Sequence, residues 1–428
     1  VLNFVNDINW IIAVVFTLFY FYQIIFTLVG VTGKWRKQKH TVSAIQHKFA
    51  VIICARNESA VIAEIINSLR NQNYPSHLLD IFVIADNCTD DTADCARRAG
   101  AIVYERWNQN QVGKGYAMDY LLKQINLDHS NAGYEGFFVF DADNLIDVHF
   151  IEEMNKVFDR GYDVVTCYRN SKNFSANWIS AGYSIWFLRE ARFLNFPRML
   201  LGTNCAISGT GFLVSAELIR SNGGWPFHLL TEDIEFSAHC ALNNRRIGYC
   251  DNAIIYDEQP TSFRQSWDQR MRWSKGFYQV NAKYSLSLIK NIFSGGRKGL
   301  SCYDMLMTIA PGMLLTLFAI LINVVIGIAC VSQPHYIAYR VTKEVLHFVA
   351  MTGINFYLCL FIYGLLTILS EWKQINAKGY LKFAYLLTFP VFMFTYIPIS
   401  LVALVCNVEW KPIRHTSVTS CRQEQIIS

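Results

Sequence analysis

Hydrophobic and polar positions divide the chain into three stretches. Residues 10–31, "WIIAVVFTLFYFYQIIFTLVGV", form an apolar run long enough to cross a bilayer. It lacks a basic leader and a small-residue cleavage site, so it reads as an anchor. Residues 45–260 alternate short apolar runs with helical spacing. Strands are expected at 49–55, 80–86, 101–105 and 136–143, and helices over 59–72, from near Thr89, over 115–125 and over 148–160. Such alternation predicts a mostly parallel α/β sheet covered by helices, with ligands beyond the carboxyl ends of its strands. Apolar runs return at 306–331, 345–369 and 380–406, the last interrupted by Pro390 and Pro398.

Composition agrees with this division. Of 428 residues, 52% are hydrophobic and 17% charged, more apolar than a soluble chain of this size needs. The net charge of +5 is mild, so the basic residues of 264–275 are a local cluster and no nucleic-acid partner is expected. Lys34, Arg36, Lys37, Lys39 and His40 follow the first apolar run, which places the middle stretch in the cytoplasm. Lys373, Lys378 and Lys382 put the 371–382 connector on the same side. A full crossing by 380–406 would send the tail with Lys411, Arg414 and His415 outside, against the charge rule; a re-entrant hairpin would keep it inside. A full span is the expectation. The twelve cysteines show no CxxC, and neither disulfides nor zinc are expected.

Polar residues of interest fall at the predicted strand ends. Asp86 closes "IFVIA", and Thr89 or Asp90 is expected to cap the helix that follows. Asp141 and Asp143, in "FDADN", are two carboxylates one residue apart, a pattern that suits a magnesium-type ion sharing phosphate oxygens. Lys114 stands between Gly113 and Gly115 at a helix start, where anions are favoured; a surface lysine is the plainer alternative. In "LLTEDIEF", Thr231 is a good N-cap, and Glu232 and Asp233 suit a first helical turn as well as they suit general-base chemistry. In "SFRQSWDQRMRWSKGFYQV", a helix would bring Gln269, Arg272 and Trp273 to one face. Arginine suits phosphate and indole suits a sugar ring, and the same helix can rest on the bilayer.

Asp86, "DAD", "TED" and "QRMRW", in this order between apolar flanks, resemble the processive, membrane-embedded family 2 glycosyltransferases, which include cellulose, mixed-linkage glucan, chitin and hyaluronan synthases. The resemblance covers nearly the whole chain. It implies a GT-A fold, a UDP-sugar donor and Mg2+ or Mn2+. It implies donor contacts from Glu58, Asp86, Lys114, Asp141, Gln269, Arg270 and Arg272, and metal ligation by Asp143 with Asp141. Asp233 would be the catalytic base. Trp273, Gly209, Gly211 and Glu232 would flank the acceptor, with Tyr256, Glu258 and Pro260 near them.

The expected organisation is an anchor (1–33), a cytoplasmic GT-A domain (45–260), interfacial helices (261–300), membrane helices (301–410) and a tail (411–428). "SGTGFLVS" and "DEQPTSF" look most like bacterial short-chain glucan synthases, so polymerisation of UDP-glucose into a β-1,4, β-1,3 or mixed-linkage glucan is expected at the plasma membrane. The growing polysaccharide would be the acceptor, passing through the protein's own membrane helices. A polymer of N-acetylglucosamine and single transfer to a lipid acceptor are the alternatives. The residues identify no accessory export subunit.

Overall fold

The computed structural model describes residues 2–33, 45–309, 311–330 and 334–408. The basic residues 34–40 and the tail residues Lys411, Arg414 and His415 lie outside the described residues. Helix α1 (Leu2–Thr32) opens the chain. There follow β1 (Phe49–Ala55), α2 (Ile62–Arg70), β2 (Leu79–Asp86), α3 (Thr92–Arg98), β3 (Ile102–Arg106), α4 (Lys114–Asp128) and β4 (Gly136–Asp141). The second half of the α/β region holds β5 (Leu145–Ile146), α5 (Phe150–Phe158), β6 (Val164–Ser171), α6 (Trp178–Glu190), α7 (Phe196–Leu201), β7 (Phe212–Ser215), α8 (Ala216–Ser221), α9 (Glu232–Leu242) and β8 (Ile247–Asp257).

The eight strands make one sheet in the order β3-β2-β1-β4-β7-β6-β8-β5. The strands β3, β2, β1 and β4 are mutually parallel. β7 runs antiparallel to β4 and β6, β6 and β8 are parallel, and β5 is antiparallel to β8. β1 is buried almost throughout, as its unbroken apolar sequence requires of a central parallel strand. In α2, Ile62, Ile65, Ile66 and Leu69 form the buried stripe that covers one sheet face. The chain winds from β1 through β2 to β3, then returns to the other side of β1 with β4. That reversal opens a crevice at the carboxyl ends of β1 and β4.

The expected helix start near Thr89 moves to Thr92. Asp90 Oδ1 accepts the Thr92 N–H at 3.1 Å, and this local turn uses up the residues before the helix. β4 stops at Asp141, whose own N–H turns to Thr210 Oγ1 at 2.9 Å and Asn144 Oδ1 at 3.1 Å.

Helices α10 (Phe263–Ile292), α11 (Gly296–Ile309), α12 (Pro311–Cys330), α13 (His335–Ser370), α14 (Gly379–Phe394) and α15 (Tyr396–Val405) complete the described chain. The run expected over 306–331 is shared between the end of α11 and α12. α14 and α15 form one nearly continuous rod, because Thr395 between them keeps helical angles (φ −65°, ψ −13°), and no hairpin forms at the prolines. Among the described residues, three stretches, Asp7–Thr32, Ala338–Ser370 and Gly379–Val405, are long and apolar enough to cross a membrane.

Candidate active site

The crevice at the β1/β4 reversal gathers most of the polar residues that the sequence singles out. Two loops form its rim. Asn57, with φ at 58°, lets the chain turn out of β1; its Oδ1 accepts the Thr89 N–H at 2.7 Å. The Glu58 N–H donates to Thr92 Oγ1 at 2.8 Å, which ties the loop after β1 to the loop after β2. Asp86 is buried at the end of β2 and accepts from Arg106 Nη1 at 2.6 Å. Arg106 was not anticipated, yet its place follows from pairing: it is the β3 residue in register with Asp86.

Lys114 begins α4 behind Gly113, whose φ of 139° belongs to glycine. Its Nζ donates to Asp141 Oδ1 at 2.5 Å and to the Gly209 carbonyl at 2.7 Å, so the plainer alternative of a surface lysine fails. Burial works against its charge, but Asp141 and Glu232 hold its pKa above the ordinary lysine value.

Asp143 is buried beyond β4, with Oδ2 accepting the Glu258 N–H at 3.2 Å. Oδ2 of Asp141 has no hydrogen-bond partner among the described residues. Two carboxylates of this kind fit a hard divalent cation that completes its shell with phosphate and water. Among the described residues no group of three or more His, Cys, Asp or Glu forms a ready-made cage, so phosphate oxygens would have to complete the shell.

Glu232 and Asp233 open α9. Thr231 stands at the N-cap position, but its side chain makes no capping bond and its buried hydroxyl has no partner. The capping explanation therefore does not account for this acidic turn. Burial, and then the adjacent Asp233 charge, push Glu232 up to about 7, against the pull of Lys114. Asp233 is raised by burial too, opposed by the Ile234 N–H and Lys114. The pair is held against the 206–209 loop by Ser237, which donates to the Asp233 carbonyl at 2.8 Å and accepts from the Ile207 N–H at 3.0 Å.

The two loop glycines have different tasks. A Cβ on Gly209 (φ 79°) would lie 3.8 Å from Asp233 Oδ2, so this residue borders the site. A Cβ on Gly211 (φ 67°) would strike Cys167 Sγ at 2.5 Å and Ile255 at 2.9 Å. Gly211 therefore serves the close approach of its loop to the sheet core, which corrects its expected place beside the acceptor. Thr210, between them, is buried and donates to Asn144 while accepting from Asp141; the sequence carried no signal for that role.

On α10 the four expected site residues divide. Arg272 lies within reach of Glu232, Asp141 and Asp233; burial lowers its pKa, and those three carboxylates oppose the shift. Trp273 meets Tyr183 and Phe187 edge-on, with ring centroids 5.7 and 6.2 Å away. Gln269 Oε1 is buried without a hydrogen-bond partner. Arg270 points elsewhere. It is wholly buried, its Nη1 donates to Thr395 Oγ1 at 2.6 Å and the Phe392 carbonyl at 3.1 Å, and its guanidinium lies 4.4 Å from the Phe392 ring. These contacts make Arg270 a clamp onto α14 and not a donor contact.

A further charged layer lies behind the crevice. Arg169 donates through Nε to Asp257 at 2.7 Å and through Nη1 to the Ser208 carbonyl at 2.8 Å, and Ser208 Oγ donates to Glu190 at 3.0 Å. These residues come from β6, β8, α6 and a loop, and no sequence pattern joins them.

Residues 46–276 match the model of the family described as "Glycosyltransferase like family 2". The chain is 29% identical over 270 residues to a beta-monoglucosyldiacylglycerol synthase of Nostoc sp., covering 60% of this chain and 54% of the relative. It is 26% identical over 250 residues to a poly-beta-1,6-N-acetyl-D-glucosamine synthase of Staphylococcus epidermidis, covering 56% of this chain and 57% of that one. The chain thus spans a little over half the length of these curated relatives. Among solved structures, a mannosyltransferase from Pyrobaculum calidifontis, in complex with GDP-Man and Mn2+, superposes over 92% of this chain and 98% of its own with a TM-score of 0.55 at 15% identity, a likeness of fold. The fold is GT-A, and with more than half of its length matched by the family model, the chain belongs to the family 2 glycosyltransferases.

Proposed function

We propose that this protein is a membrane-embedded, inverting transferase that moves a hexose from a UDP-sugar to a hydroxyl acceptor. The observation that carries the proposal is the opposition across the crevice: half-buried Glu232 and Asp233, with raised pKa values, face Lys114 and Arg272. Asp233 takes the proton from the attacking acceptor hydroxyl. Lys114 and Arg272 bear the charge that develops on the departing diphosphate. Asp141 and Asp143 would hold Mg2+ or Mn2+, which neutralises diphosphate charge when bound. Glu58, on the loop after β1, and Asp86, at the end of β2, stand where the nucleotide would rest. Trp273, against Tyr183 and Phe187, would offer an indole face for a sugar ring. Direct displacement of an α-linked donor gives a β-linked product.

For the finer activity we favour polymerisation of UDP-glucose into a β-glucan (β-1,4, β-1,3 or mixed-linkage) delivered along the protein's own membrane helices, with the catalytic face cytoplasmic in the plasma membrane. The "QRMRW" signature supports it. A single glucosyl transfer to diacylglycerol is a second reading, favoured by the relatives of that activity, and polymerisation of UDP-N-acetylglucosamine is a third. Detergent-purified full chain, given radiolabelled UDP-glucose or UDP-N-acetylglucosamine with Mg2+ or Mn2+, should release UDP and build a high-mass product from UDP-glucose. Linkage-specific glucanases and chitinase then identify it. A lipid-sized product, or a polymer from UDP-N-acetylglucosamine alone, would replace the favoured donor or acceptor. Asp233→Asn should abolish transfer while retaining UDP-sugar binding; rapid turnover by that variant would remove Asp233 from the role of base.

A further inference from the structure

We infer that Glu190 binds a second hydroxyl of the acceptor, beside the one that Asp233 deprotonates, so that the acceptor ends in a sugar-like vicinal diol. This inference rests on the transferase function proposed above and names the acceptor class of the same site.

The argument starts with the spacing on α6. Tyr183, Phe187 and Glu190 stand at i, i+4 and i+7, on one face of the helix. Tyr183 and Phe187 meet Trp273, so this face looks onto the indole proposed to stack a sugar. Glu190 continues the stripe one turn further along. Its Oε2 accepts from Ser208 Oγ at 3.0 Å, and the next residue, Gly209, borders Asp233. Asp233 is accordingly among the charges acting on Glu190, whose pKa burial raises above the ordinary glutamate value. The carboxylate thus sits next to the proposed base, at the end of an aromatic wall.

Among the described residues Glu190 forms no ion pair. Arg169 is engaged by Asp257, and Arg198 is held by both oxygens of Asp304. Oε1 of Glu190 has no hydrogen-bond partner among the described residues. Glu190 is half-buried, so this oxygen is open to a ligand's donor in place of water. Hydroxyl is the donor that fits. A phosphate would meet Glu190, Glu232 and Asp233 together and be repelled. A diacylglycerol has a single hydroxyl, which Asp233 would already use. A sugar terminus has a neighbouring hydroxyl to spare, and its ring can lie on Trp273.

The test uses the purified full chain with labelled UDP-glucose and three acceptors: a cello-oligosaccharide, a diacylglycerol and a polyprenyl phosphate. Transfer to the oligosaccharide is expected. Glu190→Gln, which keeps the side-chain shape, should raise the oligosaccharide KM by about tenfold or more, with UDP-glucose Kd unchanged. Glu190→Asp should recover part of the loss. An unchanged oligosaccharide KM in Glu190→Gln overturns the inference. So does an equal loss of donor affinity, or failure of both variants to fold, since each marks Glu190 as structural. A wild-type enzyme that uses the diacylglycerol or the polyprenyl phosphate but not the oligosaccharide also overturns it, while leaving glycosyl transfer intact. A wild-type chain that neither binds UDP-glucose nor transfers from it overturns the proposed function itself.

Discussion

At the scale of residues, the behaviour of the site turns on how charge is buried. Glu232 titrates near 7 instead of its ordinary 4.5. The folded protein therefore binds that proton more tightly than the unfolded chain does. Between those two values the protein gives up stability as pH rises, while the proposed base becomes active only once its proton is lost. Burial raises Asp233 above the ordinary aspartate value, so the acid limb of the kcat/KM profile should lie above the usual aspartate range, and Glu232→Gln should move that limb to lower pH by removing a like charge from Asp233. An acid limb unmoved in Glu232→Gln would show that the two acids titrate independently. Arg270 and Arg272, two positions apart, should separate cleanly. Arg272→Met should raise the donor KM on the order of tenfold or more, as loss of a charged phosphate contact would, with little change in Tm. Arg270→Met should lower Tm and leave donor affinity near wild type. Kinetics and thermal unfolding of the two purified variants decide this.

At the scale of elements, contact between helices sets the positions of the acids. α10 crosses α9 where Gly276 meets Thr231: a Cβ on Gly276 would lie 2.5 Å from Thr231 Cγ2 and 2.9 Å from its backbone nitrogen. Thr231 immediately precedes Glu232 and Asp233, so any outward shift of α10 moves the acidic turn. Gly276→Val should cost about 1–3 kcal/mol by overpacking and lower kcat more than it raises the donor KM. Steady-state kinetics beside a denaturation curve would check both parts. α6 shows the same economy, with Gly182 placed where a Cβ would be 2.5 Å from the Phe392 ring of α14. Tyr183, next in sequence, packs on the same ring, with centroids 5.0 Å apart, so α14 helps to fix the face that carries Phe187 and Glu190.

At the scale of the whole molecule, the α/β region and the apolar helices are joined by buried polar contacts as well as by apolar packing. Arg198 of α7 and Asp304 of α11 form a two-pronged ion pair, 1% and 6% exposed at the side chains, with Thr308 and Asn195 completing the guanidinium's contacts. Breaking it should leave a buried charge without its partner and cost about 3–5 kcal/mol. Arg198→Met is expected to lower Tm strongly, whereas a surface pair such as Arg97–Asp94 should change it little when broken. Arg270 makes a second junction, between α10 and the α14–α15 rod. Two such joints hold α10 and α11, and with them Arg272 and Trp273, at a fixed height over the crevice.

The sequence by itself determined what repeats or lies close along the chain. Apolar runs marked strands β1, β2 and β4 nearly to the residue, because a strand buried on both faces must be apolar without interruption. It also placed Asp86 and Asp141 at strand ends, and it set Gln269, Arg272 and Trp273 at helical spacing. Tertiary structure alone decided which of these residues meet. Asp86 acquired Arg106 through sheet register, and Lys114 reached Asp141 and Gly209 across the crevice. Arg270 turned to α14, Gly211 faced the core, and Glu190 came beside Ser208. The physical reason is that local periodicity fixes the face on which a side chain lies, while its partner is set by strand order and helix packing between segments far apart in the chain.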